Sequence, residues 1–166
     1  MRLASVIPSK VYSLEQLSRK VASWRVTGQS ISFSNGVFDI LHEGHIYSLS
    51  QAASEADILI VAVNSDSSVK RLKGPGRPVH NQNSRALILA SLVMVDAVVI
   101  FEEDTPLNVI ATLLPDVIVK GGDYTAEQIA GAKEVIANGG RVVINSLVEG
   151  VSTTGIIEKM RAPVKS

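Results

Sequence analysis

Hydrophobic residues fall along this chain in two alternating rhythms. Ile31 to Ser34, Ile58 to Asn64, Ala97 to Phe101, Val117 to Lys120 and Val142 to Asn145 are short, β-rich runs bounded by polar or glycine-bearing clusters, the signature of strands. Between them apolar positions recur at helical spacing near residues 45 to 55, 84 to 93, 106 to 114 and 126 to 138, and a last helix is predicted from about 153 to 161. Ahead of the first strand, Ser13 followed by Leu14, Leu17, Val21 and Trp24 predicts a capped amphipathic helix ending near Gly28.

Strands that are apolar on both faces, regularly interleaved with helices, belong to a parallel sheet covered on both sides. The expected fold is α/β: a doubly wound, Rossmann-like, five-stranded parallel sheet with helices on both faces, plus the N-terminal amphipathic helix. We expect a lead-in over 1–28, the main domain over 29–161 and a tail over 162–166, forming one domain overall. Each strand ends in a distinctive cluster: SNGVFD, VNSD, FEEDTP, KGGDY and, after the fifth, EGVSTT. In an open α/β sheet ligands bind at that carboxyl edge, and clusters so spaced suit a nucleotide-sized site.

Composition narrows the chemistry. With 16 basic and 16 acidic residues in balance, no global field recruits nucleic acid or an anionic membrane. The chain has no cysteine, which removes disulfides, thiolate nucleophiles and Cys-based zinc sites together. The N-terminal segment lacks an apolar stretch of signal-peptide length, and the longest apolar runs are strand-sized; the expectation is a cytoplasmic protein without a membrane span. Neither GxGxxG after the first strand nor GxxxxGK[ST] is present, so a dinucleotide-dependent dehydrogenase and a P-loop NTPase are unsupported.

Histidine and carboxylate must then carry the chemistry, and they cluster in Ser34-Asn35-Gly36-Val37-Phe38-Asp39-Ile40-Leu41-His42-Glu43-Gly44-His45. Gly36 would permit a sharp exit from the first strand, and Gly44 a close approach of backbone to ligand where the next helix begins. His42 and His45, three apart, would share a helix face and address one phosphate beside the helix-start amides. A metal pair is disfavoured: there is no HExxH, and only His80 remains elsewhere. From Lys70 to Arg85 the chain carries Lys70, Arg71, Lys73, Arg77 and Arg85 with no acid among them, together with Gly74, Pro75, Gly76 and Pro78. This predicts a mobile positive flap over bound phosphate, with a solvated basic loop as the alternative. Asp39 and Asp123 are candidates for Mg²⁺ or a ribose hydroxyl, or for stabilising their own turns; Asp66 is placed for a sugar or nucleotide hydroxyl. Glu102, Glu103 and Asp104 are expected to favour the helix beginning at Thr105-Pro106.

HxGH after a strand and a Gly-x-Phe-Asp turn resembles the signature of the HxGH nucleotidyltransferase superfamily of cytidylyl- and adenylyltransferases. VNSD, RLKGPGRP, Arg85, FEEDTP, VKGGDY at 119–124, GAKEV at 131–135 and EGVSTT at 149–154 follow in order. Together, from about Tyr12 to Met160, they resemble the adenylyltransferase domain of bacterial ADP-heptose synthase. That resemblance implies transfer of AMP from ATP, with Mg²⁺, to D-glycero-β-D-manno-heptose 1-phosphate, giving ADP-heptose for lipopolysaccharide core. Many members are fused behind a sugar kinase, for which 166 residues leave no room, so a stand-alone form is expected; relatives tend to form homodimers.

By the same resemblance His42 and His45 are catalytic and contact phosphates, and Asn35, Gly36, Val37 and Phe38 pack against the nucleotide. Arg85, Ser152, Thr153 and Thr154 complete the phosphate cradle. From their places at the strand ends and in the basic stretch, Gly44, Gly121 and Asp123 are assigned to the nucleotide site and Asp39, Asp66, Lys73, Arg77 and Lys120 to substrate binding. Two departures stand out: Ser34 replaces a common Thr, keeping the hydroxyl, and Gly155 stands where relatives commonly place Arg or Lys. Ser152 is equally readable as an ordinary helix N-cap. A glycerol-3-phosphate cytidylyltransferase-like enzyme, which shares HxGH and STT, and a non-catalytic nucleotide-binding module are the rival readings.

Overall fold

A computed structural model describes residues 4–122, 124–146, 148 and 150–162. Its elements, in order, are β1 (Val11–Tyr12), α1 (Leu14–Val26), β2 (Ile31–Gly36), α2 (Glu43–Ala53), β3 (Ile58–Asn64), α3 (Asp66–Lys73), α4 (Gln82–Ala90), β4 (Ala97–Phe101), α5 (Leu107–Leu113), β5 (Val117–Gly121), α6 (Ala132–Ala137), β6 (Arg141–Asn145) and α7 (Thr153–Arg161). The strands form one six-stranded sheet in the order β1-β4-β3-β2-β5-β6, parallel at every pairing.

The doubly wound arrangement follows from strands that bury both faces. In β3, Ile58, Ile60 and Ala62 point into one core with Leu17 and Val21 of α1, Ile110 of α5 and Val135 of α6. Their neighbours Leu59, Val61 and Val63 point into the other, with Leu49 of α2 and Leu89 of α4. Period-two alternation thus divides one continuous apolar run between two cores. The chain winds outward from β2 through β3 and β4, then returns to place β5 on the other side of β2. That reversal opens a crevice at the carboxyl ends of β2 and β5.

Three expectations are corrected. A sixth strand, β1, pairs Val11 with Val98 and Tyr12 with Val99 at the sheet edge; two residues are too few to show a periodicity. The predicted helix over 126–138 divides into a 3₁₀ turn over Ala126–Gln128 and α6. Gly131, at φ +83°, makes the break, and a Cβ there would collide with the side chain of Ile110. Finally, half of the supposed flap is helical: Ser65 caps α3 by accepting from the Ser68 amide, and only 74–81 link it to α4. Helix α3 leaves no apolar stripe in the sequence, since it buries only Ser68 and Val69. The capped N-terminal helix is as expected, with Ser13 and Gln16 forming a reciprocal capping box.

Candidate active site

Beyond β2 the chain makes a tight, left-handed turn whose parts constrain each other. Phe38 has φ +48°, a conformation costing on the order of 1–3 kcal/mol outside glycine, and its ring is buried in the core beneath α2 and α4. Gly36 belongs to the strand, and its role differs from the expected sharp exit: a Cβ there would stand 3.0 Å from Cε2 of Phe38. Glycine makes room for the ring. Asp39, only 2% exposed, accepts hydrogen bonds from the amides of Val79 (2.8 Å) and His80 (2.9 Å) and from Nε of Arg77 (2.6 Å). Burial alone would raise its pKa, but these donors outweigh burial and hold the carboxyl below its usual range.

Arg85 completes this network from the first turn of α4. It is 1% exposed and donates Nε to the His80 carbonyl (2.9 Å), Nη1 to the Val37 carbonyl (2.7 Å) and Nη2 to Oδ1 of Asp66 (2.8 Å). Arg85 was expected to cradle phosphate and Asp39 to meet Mg²⁺ or substrate. Both instead spend their polar atoms tying the 37–41 turn, the 74–81 link and the start of α3 together, and neither lines the cleft described below. Three of the five cations between Lys70 and Arg85 are held in ion pairs: Arg71 with Asp104 (2.8 Å), Arg77 with Asp39, and Arg85 with Asp66. Where a flap was expected, the link is a strap tied to Asp39 through Arg77, Val79 and His80.

The two histidines contrast with that network. His42 occupies the N-cap of α2 with an extended backbone and no side-chain cap bond, which swings its ring over the helix start. The rings of His42 and His45 stack at 3.9 Å and 28°, and Phe38 packs on His45 at 5.3 Å. A Cβ on Gly44 would come within 3.0 Å of Cε1 of His42, so glycine here admits the imidazole. Nδ1 of both rings is buried and makes no hydrogen bond among the described residues. Desolvation, aided by the neighbouring His42, pushes the pKa of His45 down to about 4; desolvation also lowers that of His42, with Glu43 opposing. Burial thus favours the neutral form of both imidazoles, in which each ring has one N–H to give.

They open on a cleft of about 390 Å³ at the crevice between β2 and β5. Of the expected residues, Asn35, Gly36, Val37, Phe38, His42, Gly44, His45, Lys120, Gly121, Ser152 and Thr153 line it. Ser34, Ser48, Tyr124, Val148 and Val151 also line it. Ser48 was legible as the residue one turn beyond His45, and Tyr124 as the last letter of VKGGDY; nothing local singled out the two valines. Lys73, Arg77 and Thr154 lie in a separate depression of about 230 Å³ against Glu158 and Arg161. Asp123 lies outside the described residues. Ser152 does cap α7, accepting from the Gly155 amide at 3.0 Å, and Thr153 ties that helix to the Ile40 carbonyl at 3.2 Å.

Among the described residues no group of three or more His, Asp or Glu could hold a metal, and the cleft's described lining contains no carboxylate. With Asp39 committed to the strap, these residues do not form a protein cage for Mg²⁺. No described helix is long and apolar enough to cross a membrane.

Residues 33–159 match the model of a cytidylyltransferase-like family. The chain is 57% identical over 145 residues to "Bifunctional protein HldE" of Mesorhizobium japonicum, covering 87% of this chain and 29% of that protein. It is 53% identical to its namesake from Paramagnetospirillum magneticum (92% and 31% covered) and 52% to that of Shigella flexneri (93% and 32%). The chain thus spans about a third of the length of these curated relatives. Among solved structures, a lipopolysaccharide core biosynthesis protein from Thermoplasma volcanium aligns with TM-score 0.58 and 29% identity, over 73% of this chain and 98% of that one. A pantoate-beta-alanine ligase from Francisella tularensis, 16% identical, shares the fold with TM-score 0.58 over 89% of this chain and 75% of that one.

Proposed function

Since the chain belongs to the cytidylyltransferase-like family, we propose that it is a nucleotidyltransferase, with residues 29–161 as catalytic domain, that transfers AMP from ATP to D-glycero-β-D-manno-heptose 1-phosphate. An oxygen of the sugar phosphate attacks the α-phosphorus of ATP. The bond from that phosphorus to its bridging oxygen breaks, and pyrophosphate leaves with the electron pair, giving ADP-heptose. The attacking oxygen is already anionic, so no base is required. The protein's work is to align two repelling anions and to stabilise charge spreading over the transferred phosphoryl group.

The observation that carries this reading is the stacked His42–His45 pair, with both Nδ1 atoms buried without a partner among the described residues and burial favouring the neutral form of both rings. Buried polar atoms left unsatisfied are costly, and at the floor of a cleft they suit a site completed by ligand. Two neutral imidazoles bring hydrogen-bond donors to a phosphate beside the α2 helix start. Mg²⁺, expected with ATP, would be carried on the triphosphate, since the described lining supplies no carboxylate set. The choice of heptose rests on the ordered words from VNSD to EGVSTT and on identity of 50–57% to proteins named HldE. A cytoplasmic setting suits an enzyme that works on ATP, and the homodimer implied by the resemblance is open to sedimentation.

Pyrophosphate release tests the reading, with ATP or CTP paired in turn with heptose 1-phosphate, glycerol 3-phosphate or no acceptor. ATP with heptose 1-phosphate is expected to be the best pair. Faster release from CTP with glycerol 3-phosphate would overturn the substrate assignment; calorimetric ATP binding without release from any pair would make the chain a binding module.

A further inference from the structure

The crevice holds two chambers. Beyond the histidine cleft a second one, of about 190 Å³, lies between the β4–α5 connection and the 3₁₀ turn over Ala126–Gln128. Asn35, Lys120 and Tyr124 line both, so the ammonium of Lys120 stands at a common wall.

The linings differ in chemistry. On the first side are two imidazoles and the hydroxyls at the α7 start, suited to phosphates. On the second are the Asp104 carboxylate, the Thr105 hydroxyl and the Gln128 carboxamide, with Lys120 its one described cation. Carboxylate, hydroxyl and carboxamide together accept from and donate to hydroxyl groups. Arg71 holds Asp104 in place through Oδ1 at 2.8 Å. Gln128 Oε1 takes the Thr125 amide at 2.9 Å, while its NH₂ remains a donor.

Lys120 itself is loosely held. Its Nζ lies 3.3 Å from Oδ1 and 3.4 Å from the backbone carbonyl of Asn35, both longer than a usual N–H···O bond. Among the described residues no carboxylate pairs with it, and burial lowers its pKa. Besides these long dipolar contacts the ammonium has only the Tyr124 ring, 6.0 Å away, beside it among the described residues, and a desolvated cation so weakly held gains from an arriving anion.

We propose that the second chamber seats the polyhydroxylated body of the acceptor, and that Lys120 grips the acceptor's phosphate at the wall, facing the α-phosphate of the nucleotide in the first chamber. The arrangement rests on the transferase reading above. It assigns acceptor selection to Asp104, Thr105 and Gln128, and alignment of the two reacting phosphates to Lys120.

Titration calorimetry of heptose 1-phosphate into protein loaded with a non-hydrolysable ATP analogue tests it, beside ATP binding alone and KM and kcat from pyrophosphate release. Thr105→Val should weaken the acceptor and raise its KM by roughly three- to tenfold, the loss of one hydrogen bond, with ATP binding and melting temperature unchanged. Lys120→Met should weaken the acceptor by roughly 10- to 100-fold, as for a charge-assisted bond, and disturb ATP binding less; Lys120→Arg should restore part of it. Acceptor binding at wild-type strength in the Thr105 and Lys120 variants, or a loss confined to ATP, would overturn the proposal while leaving the transferase reading standing. Failure of wild-type protein to bind the sugar phosphate would overturn it too. Binding that follows the expected pattern without product would sustain the chamber and defeat the transferase reading instead.

Discussion

Two groups of buried or half-buried polar side chains lie beyond the carboxyl ends of the strands and are treated in opposite ways. In the strap network every charge has a partner: Asp39 receives Arg77 and the amides of Val79 and His80, and Arg85 reaches two carbonyls and Asp66. In the cleft, among the described residues, the Nδ1 atoms of His42 and His45 have no hydrogen-bond partner, and Lys120 makes two long dipolar contacts and faces the Tyr124 ring. The strap side is internally complete and holds the Phe38 turn in a costly conformation. The cleft side leaves its polar groups for a ligand. Charge by itself therefore says little about function; whether the charge is already answered by the protein says much.

The sharpest break between the two is a dissociation of stability from rate. Arg85→Ala should lower the unfolding free energy by about 3–5 kcal/mol, the cost of stranding partners of a buried ion pair, read by urea denaturation. If Arg85 instead serves phosphate, stability would stay near wild type while turnover collapsed. In the cleft the signs reverse: His42→Ala and His45→Ala should each slow pyrophosphate release by on the order of a hundredfold, about 3 kcal/mol of transition-state stabilisation. ATP affinity should fall less, and the melting curve should be nearly unchanged. Folded variants with normal release would remove the histidines from the mechanism.

Acid sharpens the comparison further. The folded His45 holds a proton only below about pH 4, whereas in the unfolded chain an imidazole takes one up near 6.5. Between these values the unfolded state binds more protons, so stability should decline as pH falls from about 6.5 towards 4. His45→Gln should flatten that decline. Asp39 has the opposite sign of charge: its lowered pKa contributes stability above the ordinary carboxylate range that is lost only in stronger acid. Chemical denaturation across pH 4–7 for both proteins distinguishes the two, and an unchanged slope in the variant would show that His45 is not the group responsible.

The smallest effect separates two cations of the strap. Arg77→Ala removes a charge-assisted bond to a buried carboxylate and should cost roughly 1.5–3 kcal/mol, while Lys73→Ala, on the exposed end of α3, should stay within about 0.5 kcal/mol. Equal melting temperatures for the two variants would return Arg77 to the class of solvated surface charges.

Much of this was readable along the chain. Five strands and most of the helices between them follow from local periodicity, because burial on both faces of a strand or on one face of a helix leaves its mark on neighbouring residues; α3, which buries only Ser68 and Val69, does not. The glycines of the motif were also visible, but their reason was not: Gly36 and Gly44 yield space to the rings of Phe38 and His42 rather than bending the backbone. The basic stretch from Lys70 to Arg85 was the least legible. Its acidic partners, Asp39, Asp66 and Asp104, lie 19 to 38 residues away in the chain, and no composition or spacing announces such pairings.

Residue order thus decides which segments become strands and helices, and it brings the polar clusters to one edge, since periodicity and capping act over a few residues. Which polar groups are consumed and which stay available is decided only when β5 closes against β2 and α4 folds back on the Phe38 turn. Pairing and desolvation depend on distance and burial in space. So Arg85, prominent in the sequence as a phosphate ligand, becomes a buried strut, while Lys120, at the end of a strand, is left between two chambers with no carboxylate partner among the described residues.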